Sequence, residues 1–388
     1  MEPTDAPGRR WRLRTSSTTL GSIRVLSILA LVGAACSSTP ATAPRESGAD
    51  TGPDTPRTYA LGEFPPFPDQ TLPASTTEAL QGALDATIEE GTFNGVTAAV
   101  IVADRGSWAG AAGSADGTPL TPGSPTPTHS SGKTVVAAEV LRLAEDGMLD
   151  LDDPASEHLP PELAFFDANG ATIRQVLGMR SGIPGLKEFT PEGGFYPAER
   201  ASTAVEVFRM LPEPKRSPPT RAGYASTNYV LLGTIIEHVT GRPLAEVLRS
   251  DVLADPGLDG FEYTVEDALA SDGWGVQATP GSLARWGYEL YGGFVLSDAS
   301  LSEMIDFGGE WYGLGVMDLS SEYATLAVGH EGESSVTTCC SLIRLVALPE
   351  EGVVISVQAD TPPTDRPYDS YNSQLVQLTQ ALRDAARS

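Results

Sequence analysis

Apolar positions alternate between helical spacing and a period of two along the chain, and the changes predict its elements. Leu80, Leu84 and Ile88 recur at helical spacing, predicting an amphipathic helix that ends near Gly91. Residues 96–103 then read as a strand, Asp104-Arg105-Gly106 as a hairpin turn, and residues 107–112 as its partner. Residues 134–147 are rich in Ala, Val and Leu and predict a mostly buried helix. The middle of the chain is helix and loop, with helices expected over 173–179, 201–211 and 229–239 among many Pro and Gly. Beyond Trp311 the period returns to two, with strands at 325–332, 335–348 and 353–359, and Leu375, Leu378 and Leu382 mark a closing helix. Helix, hairpin, long helical insertion, three strands and helix together predict an α+β fold, an α/β sandwich. One antiparallel sheet is built from both ends of the chain and flanked by helices, with a large, mainly helical inserted lobe. The cleft between the lobes is the expected ligand site.

The first residues break this pattern. Arg9, Arg10, Arg12, Arg14 and Arg24 precede an apolar run from Val25 to Ala35, so residues 1–35 read as an export signal. That run is too short to span a bilayer as a helix. Val32-Gly33-Ala34-Ala35-Cys36 resembles a bacterial lipobox, which marks Cys36 for lipidation at the outer face of the cytoplasmic membrane. The alternative is plain secretion with cleavage nearby. Residues 36–73 are rich in Ser, Thr, Pro and Ala and read as a flexible tether, leaving 74–388 as the globular domain.

The net charge of −26 disfavours nucleic acid and anionic lipid headgroups as partners, so membrane contact is expected only through an N-terminal lipid anchor. Three cysteines give no disulfide framework; Cys339 and Cys340 are adjacent, and on a strand they point to opposite faces. Four histidines without ligand spacing imply no metal site, and no cofactor is called for.

The chemistry centres on His129-Ser130-Ser131-Gly132-Lys133-Thr134. Residues three apart on a helix share a face, so the Lys133 amine is expected beside the Ser130 hydroxyl. The other lysines, Lys187 and Lys215, have proline three positions upstream, and Lys133 alone completes a Ser-x-x-Lys. Gly132-Lys133-Thr134 also imitates the end of a phosphate-binding loop, but Pro127 stands where that loop needs its first glycine.

Further landmarks follow in order. They are Val140-Leu141-Arg142-Leu143-Ala144-Glu145-Asp146-Gly147, Thr172-Ile173-Arg174-Gln175-Val176-Leu177, Ser181-Gly182-Ile183-Pro184, Tyr224-Ala225-Ser226-Thr227-Asn228, and Gly329-His330-Glu331-Gly332. With Ser130 and Lys133, this ordered set resembles the serine beta-lactamase-related hydrolases, the group of class C beta-lactamases, D-alanyl-D-alanine carboxypeptidases and related esterases. The resemblance implies a beta-lactamase/transpeptidase-like fold and an acyl-enzyme on Ser130, activated beside Lys133. Tyr224 would then carry protons between serine, leaving group and water. His330 stands where the third motif often has lysine and would polarise the Tyr224–Ser130 network. Ser226, Gly332 and Glu333 would contact substrate, with the N–H groups of Ser130 and Glu333 holding the oxyanion. The acylation base stays open.

Three departures bear on substrate. Ser226 replaces the amide of Tyr-x-Asn, and Asn228 is out of that register. Glu331 puts a carboxylate inside the third motif, although strand alternation turns it away from His330 and Gly332. Ser335-Val336 replaces a frequent Pro-Gly. These place an esterase or amidase ahead of a D-Ala-D-Ala carboxypeptidase and of a beta-lactamase. The alternative is a catalytically weak envelope lipoprotein that keeps the fold as a ligand-binding module. Arg285 and Arg344 are candidate anchors for a substrate carboxylate.

Overall fold

The structure is a computed structural model describing residues 58–185, 202–218, 220–273, 275–333, 340–362 and 368–388, all within a compact unit spanning Thr55–Ser388. The export signal, Cys36, Cys339 and Ser335-Val336 lie outside the described residues.

Helix α1 (Ala74–Glu89) leads into the hairpin β1 (Gly95–Val102) and β2 (Gly106–Ala115), then the short strands β3 (Thr118–Pro119) and β4 (Thr126–Pro127). Helix α2 (Lys133–Glu145) opens the inserted lobe. The lobe contains α3 (Ile173–Leu177), α4 (Ala204–Met210), α5 (Thr227–Thr240), α6 (Leu244–Ser250), β5 (Phe261–Tyr263), β6 (Val276–Ala278), α7 (Pro280–Gly292) and α8 (Asp298–Met304). The chain returns through β7 (Met317–Asp318), α9 (Ser320–Tyr323), β8 (Val328–Glu333), β9 (Cys340–Leu348), β10 (Val353–Thr361) and α10 (Tyr368–Arg387).

The main sheet runs β3-β2-β1-β10-β9-β8-β7, all antiparallel, so first and last segments meet at its centre, with Gly95 opposite Asp360 and Val102 opposite Val353. This is the predicted sheet from both chain ends. Every residue of β1 is buried, because helices cover both faces of the sheet. On one face Leu80 and Leu84 of α1 and Leu375, Leu378 and Leu382 of α10 pack on alternate residues of the strands. On the other, α7 and the lobe bury Trp286 against Ile343, Leu345 and Val354. The Trp286 indole donates to Thr134 Oγ1 at 2.9 Å, tying α7 to the start of α2.

The tether expected up to residue 73 extends too far. Phe64 and Leu72 are 6% and 3% exposed, and the Leu72 N–H donates to the Ser107 carbonyl at 3.0 Å. Two apolar anchors set among prolines, without periodicity, are enough to bind this stretch to the β2 edge and α7.

Candidate active site

The nucleophile turn is a 3-10 segment, His129–Gly132, that runs straight into α2. Three elements hold it. The Thr128 N–H donates to the Val276 carbonyl at 2.9 Å, fixing it to β6. Ser131 Oγ donates to the His330 carbonyl at 3.1 Å, fixing it to β8. On β8, a Cβ at Gly332 would come within 2.8 Å of the Ser130 nitrogen, so only glycine lets this strand lie so close to the nucleophile. Gly332 of β8 therefore stands directly against Ser130.

Lys133 is fully buried, and its Nζ donates to Ser130 Oγ at 3.0 Å and to the Asp272 carbonyl at 3.0 Å. Burial pulls its pKa down to about 8, against the Asp272 carboxylate, which pulls the other way. Near neutral pH a useful fraction of this amine is therefore unprotonated and able to take the Ser130 proton. The amine also lies over the Tyr224 and Tyr229 rings, 5.3 and 5.7 Å from their centroids.

Tyr224 lies just before α5 and hydrogen-bonds Ser130 through its hydroxyl. Part of the ring lines the surface, but the hydroxyl end is enclosed, and burial raises its pKa well above the ordinary phenol value. Tyr224 is thus a neutral phenol that can pass a proton on, and a poor source of phenolate. Glu333 and Asp272 act on it electrostatically in the same direction.

His330 has a different partner from the one expected. It is fully buried, and its ring lies 6.2 Å from the Tyr224 ring, centroid to centroid, yet its Nε2 accepts from the Tyr312 hydroxyl at 3.1 Å. Its Nδ1 donates to the Glu331 carbonyl at 2.5 Å, which fixes the tautomer. Burial, reinforced by Lys133, pulls its pKa down to about 3. His330 is a neutral wall behind Tyr224, bonded to Tyr312 and carrying no charge to polarise the Tyr224–Ser130 pair.

The remaining sequence candidates separate cleanly. Ser226 stands at the head of α5 and makes no capping bond with its side chain. Asn228 is buried, accepting from Ser181 Oγ at 2.5 Å and donating to the Ala225 carbonyl at 3.0 Å, so it braces the Tyr224 turn from behind. Glu331 points to the opposite face of β8, as alternation requires, and pairs with the fully buried Arg344, which also binds Glu322. Arg285 is engaged by Asp255 and Glu289 and lies over the Phe67 ring. Neither arginine is placed to anchor a substrate.

Sequence reasoning missed four contributors. Tyr312 and Trp311 arise in a glycine-rich run, Gly308 to Gly315, whose paired aromatics were the available signal. The Asp272 carbonyl has no sequence signal at all. His129, immediately before the nucleophile, holds a positive φ of 44° and its Nε2 meets Ser341 Oγ of β9 at 2.5 Å. Its carbonyl fits against Gly273, where a Cβ would come within 1.6 Å of that oxygen. Backbone strain of about 1–3 kcal/mol is typical of such a non-glycine residue. Burial lowers the His129 pKa to about 4, so it too is neutral.

Serine, lysine and tyrosine on three segments, closed by a glycine strand end, define a beta-lactamase/transpeptidase-like fold carrying a Ser-x-x-Lys centre. The beta-lactamase family profile matches residues 80–378, and the chain belongs to that family, whose members of this fold are serine hydrolases. Among solved structures, the D-amino acid amidase of Ochrobactrum anthropi SV3, in a complex with L-phenylalanine, aligns at TM-score 0.63 and 23% identity, covering 81% of this chain and 100% of that one. The D-stereospecific amidohydrolase of a Streptomyces species aligns at TM-score 0.60 and 22% identity, covering 80% and 98%. At these identities the likeness shows the fold alone. A curated relative, the unguisins hydrolase ungD' of Aspergillus campestris, is 29% identical over 163 residues, 40% of this chain and 30% of that protein. Protein flp of Staphylococcus aureus is 29% identical over 126 residues, 32% of this chain and 25% of its own length. The match thus spans less than a third of either curated relative.

Proposed function

We propose that the protein hydrolyses an ester or amide through a Ser130 acyl-enzyme. The observation that carries this reading is the fully buried Lys133 amine, 3.0 Å from Ser130 Oγ with its pKa drawn down to about 8. Neutral Lys133 takes the hydroxyl proton as Ser130 attacks the carbonyl carbon. Tyr224 relays that proton to the leaving atom, and the same groups in reverse activate the water that releases the acyl product. The N–H groups of Ser130 and Glu333 hold the oxyanion, with Gly332 allowing their approach. On motif order, Ser226 at the head of α5 is assigned to substrate contact.

The charge pattern favours a neutral acyl donor. His330 is uncharged, and Glu333 and Asp272 add negative potential at Tyr224. A carboxylate next to the scissile bond, as in a penicillin or a D-Ala-D-Ala terminus, is disfavoured there, which keeps an esterase or amidase ahead of those two activities. We further propose that the protein is exported and anchored through Cys36, on the strength of the arginine-flanked apolar run and the lipobox-like residues before it.

Intact-mass measurement after treatment with a fluorophosphonate and, separately, a penicillin tests the enzymatic reading. Wild type gains a fluorophosphonate adduct that Ser130→Ala does not. Absence of any adduct on folded wild type refutes the acyl-enzyme and leaves the ligand-binding lipoprotein. A persistent penicillin adduct moves the assignment to the penicillin-binding branch.

A further inference from the structure

Six large hydrophobic side chains stand exposed among the described residues, and two of them, Tyr224 at 36% and Trp311 at 42%, are neighbours at the nucleophile. Their rings stack with centroids 6.2 Å apart and planes 30° apart, while Tyr312 underlies both edge-on, 5.9 Å from Tyr224 and 5.2 Å from Trp311. The arrangement is held from behind. Tyr312 is fully buried and bonded to His330, and the Trp311 carbonyl accepts from the Asp318 N–H at 3.0 Å, so the indole is presented on a pinned segment. Glu310, just before it, is paired with Arg221. An exposed tryptophan fixed beside a catalytic phenol gives up favourable burial unless something apolar covers it.

From this geometry we propose that Trp311 and Tyr224 form an aromatic wall for the leaving group, and that the substrate is an ester or amide whose departing alcohol or amine carries an aromatic ring. The proposal rests on the acyl-enzyme reading above. The side of the bond follows from the proton path. The Tyr224 hydroxyl contacts Ser130 and serves the leaving atom, and Trp311 extends the same ring outward. A ring carried by the leaving group would lie against this wall at ordinary aromatic separations. The neutral His330 behind it adds no charge that a flat apolar group would have to desolvate.

The test uses the full chain and esters of one acyl group with methanol, benzyl alcohol and naphthylmethanol, alcohols of similar acidity, so that binding sets the ratios. Wild type is expected to favour the benzyl over the methyl ester about tenfold or more in kcat/KM. In Trp311→Ala that preference falls about tenfold, while Trp311→Phe keeps most of it. Equal losses on methyl and benzyl esters overturn the wall, as does a Trp311 effect that follows the acyl group when that is varied instead. Either result leaves the acyl-enzyme standing. Failure of wild type to turn over any ester, with no fluorophosphonate adduct on Ser130, overturns the underlying reading and this proposal with it.

Discussion

The head of α2 and strand β8 each bury one basic side chain against Tyr224, and the two are affected in opposite functional senses. Burial lowers both pKa values. For Lys133 the descent starts near 10.5 and stops at about 8, inside the range where protons are exchanged; for His330 it starts near 6.5 and stops at about 3, below it. The same desolvation that makes an amine a usable base removes an imidazole from acid–base work. Their partners agree with this division. Lys133 meets the reacting oxygen and a backbone carbonyl, whereas His330 spends both nitrogens on Tyr312 and Glu331. His330 was expected to polarise the Tyr224–Ser130 pair; in the structure it is bonded to Tyr312 instead.

The largest effect should come from the lysine. Lys133→Ala and Lys133→Arg should each lower kcat/KM on an activated ester by about a thousandfold, since a guanidinium cannot release its proton. In wild type the unprotonated fraction grows as pH rises, so kcat/KM should climb to a plateau above about pH 8. A profile that falls across that interval would mean that the charged amine is the working form.

The back of β8 gives the next test. Glu331→Ala strips one of two carboxylates from the fully buried Arg344 and should cost about 3 kcal/mol in urea unfolding. Because the side chain points away from Ser130, kcat/KM per folded molecule should change little. A large catalytic loss with normal stability would put Glu331 in the cleft after all.

His330 should reveal itself in acid. The unfolded chain protonates this histidine below about pH 6.5 and the folded chain only near 3, so its contribution to stability is lost as pH falls through that window. The loss at about pH 5 should be about 2 kcal/mol. His330→Gln should flatten this part of the pH dependence and leave the alkaline limb near pH 8 in place. If that limb disappears instead, the histidine and not the lysine sets it.

The smallest effect belongs to His129. Replacement by Ala removes the bond to Ser341 and keeps the left-handed backbone, whereas Gly removes the bond and relieves the strain. His129→Gly should therefore melt higher than His129→Ala by a margin of about 1 kcal/mol. Equal melting would show that the positive φ carries no penalty.

Legibility followed sequence distance. The hairpin, α2, the helices near 173, 204 and 227, and the returning strands were visible because each depends on a local period. Ser130 and Lys133 were visible because they lie only three positions apart. Glu331 was correctly turned outward from alternation alone. What could not be read were contacts across long loops: Lys133 to the Asp272 carbonyl, 139 residues away, and His129 to Ser341, 212 away. The Tyr312–His330 bond spans only 18 residues, but it depends on how a glycine-rich loop folds back on β8.

By itself, then, the sequence determined which groups are available and the order in which the chain delivers them: a serine with its lysine, a phenol before a buried helix, a glycine strand end. Tertiary structure alone decided their ionisation and their partners. It buried Lys133 far enough to lower its pKa, fixed His330 as neutral, sent Glu331 to Arg344 and left Trp311 uncovered beside Tyr224. The physical reason is that a charge state depends on the solvent excluded by distant segments, and no local period records that exclusion.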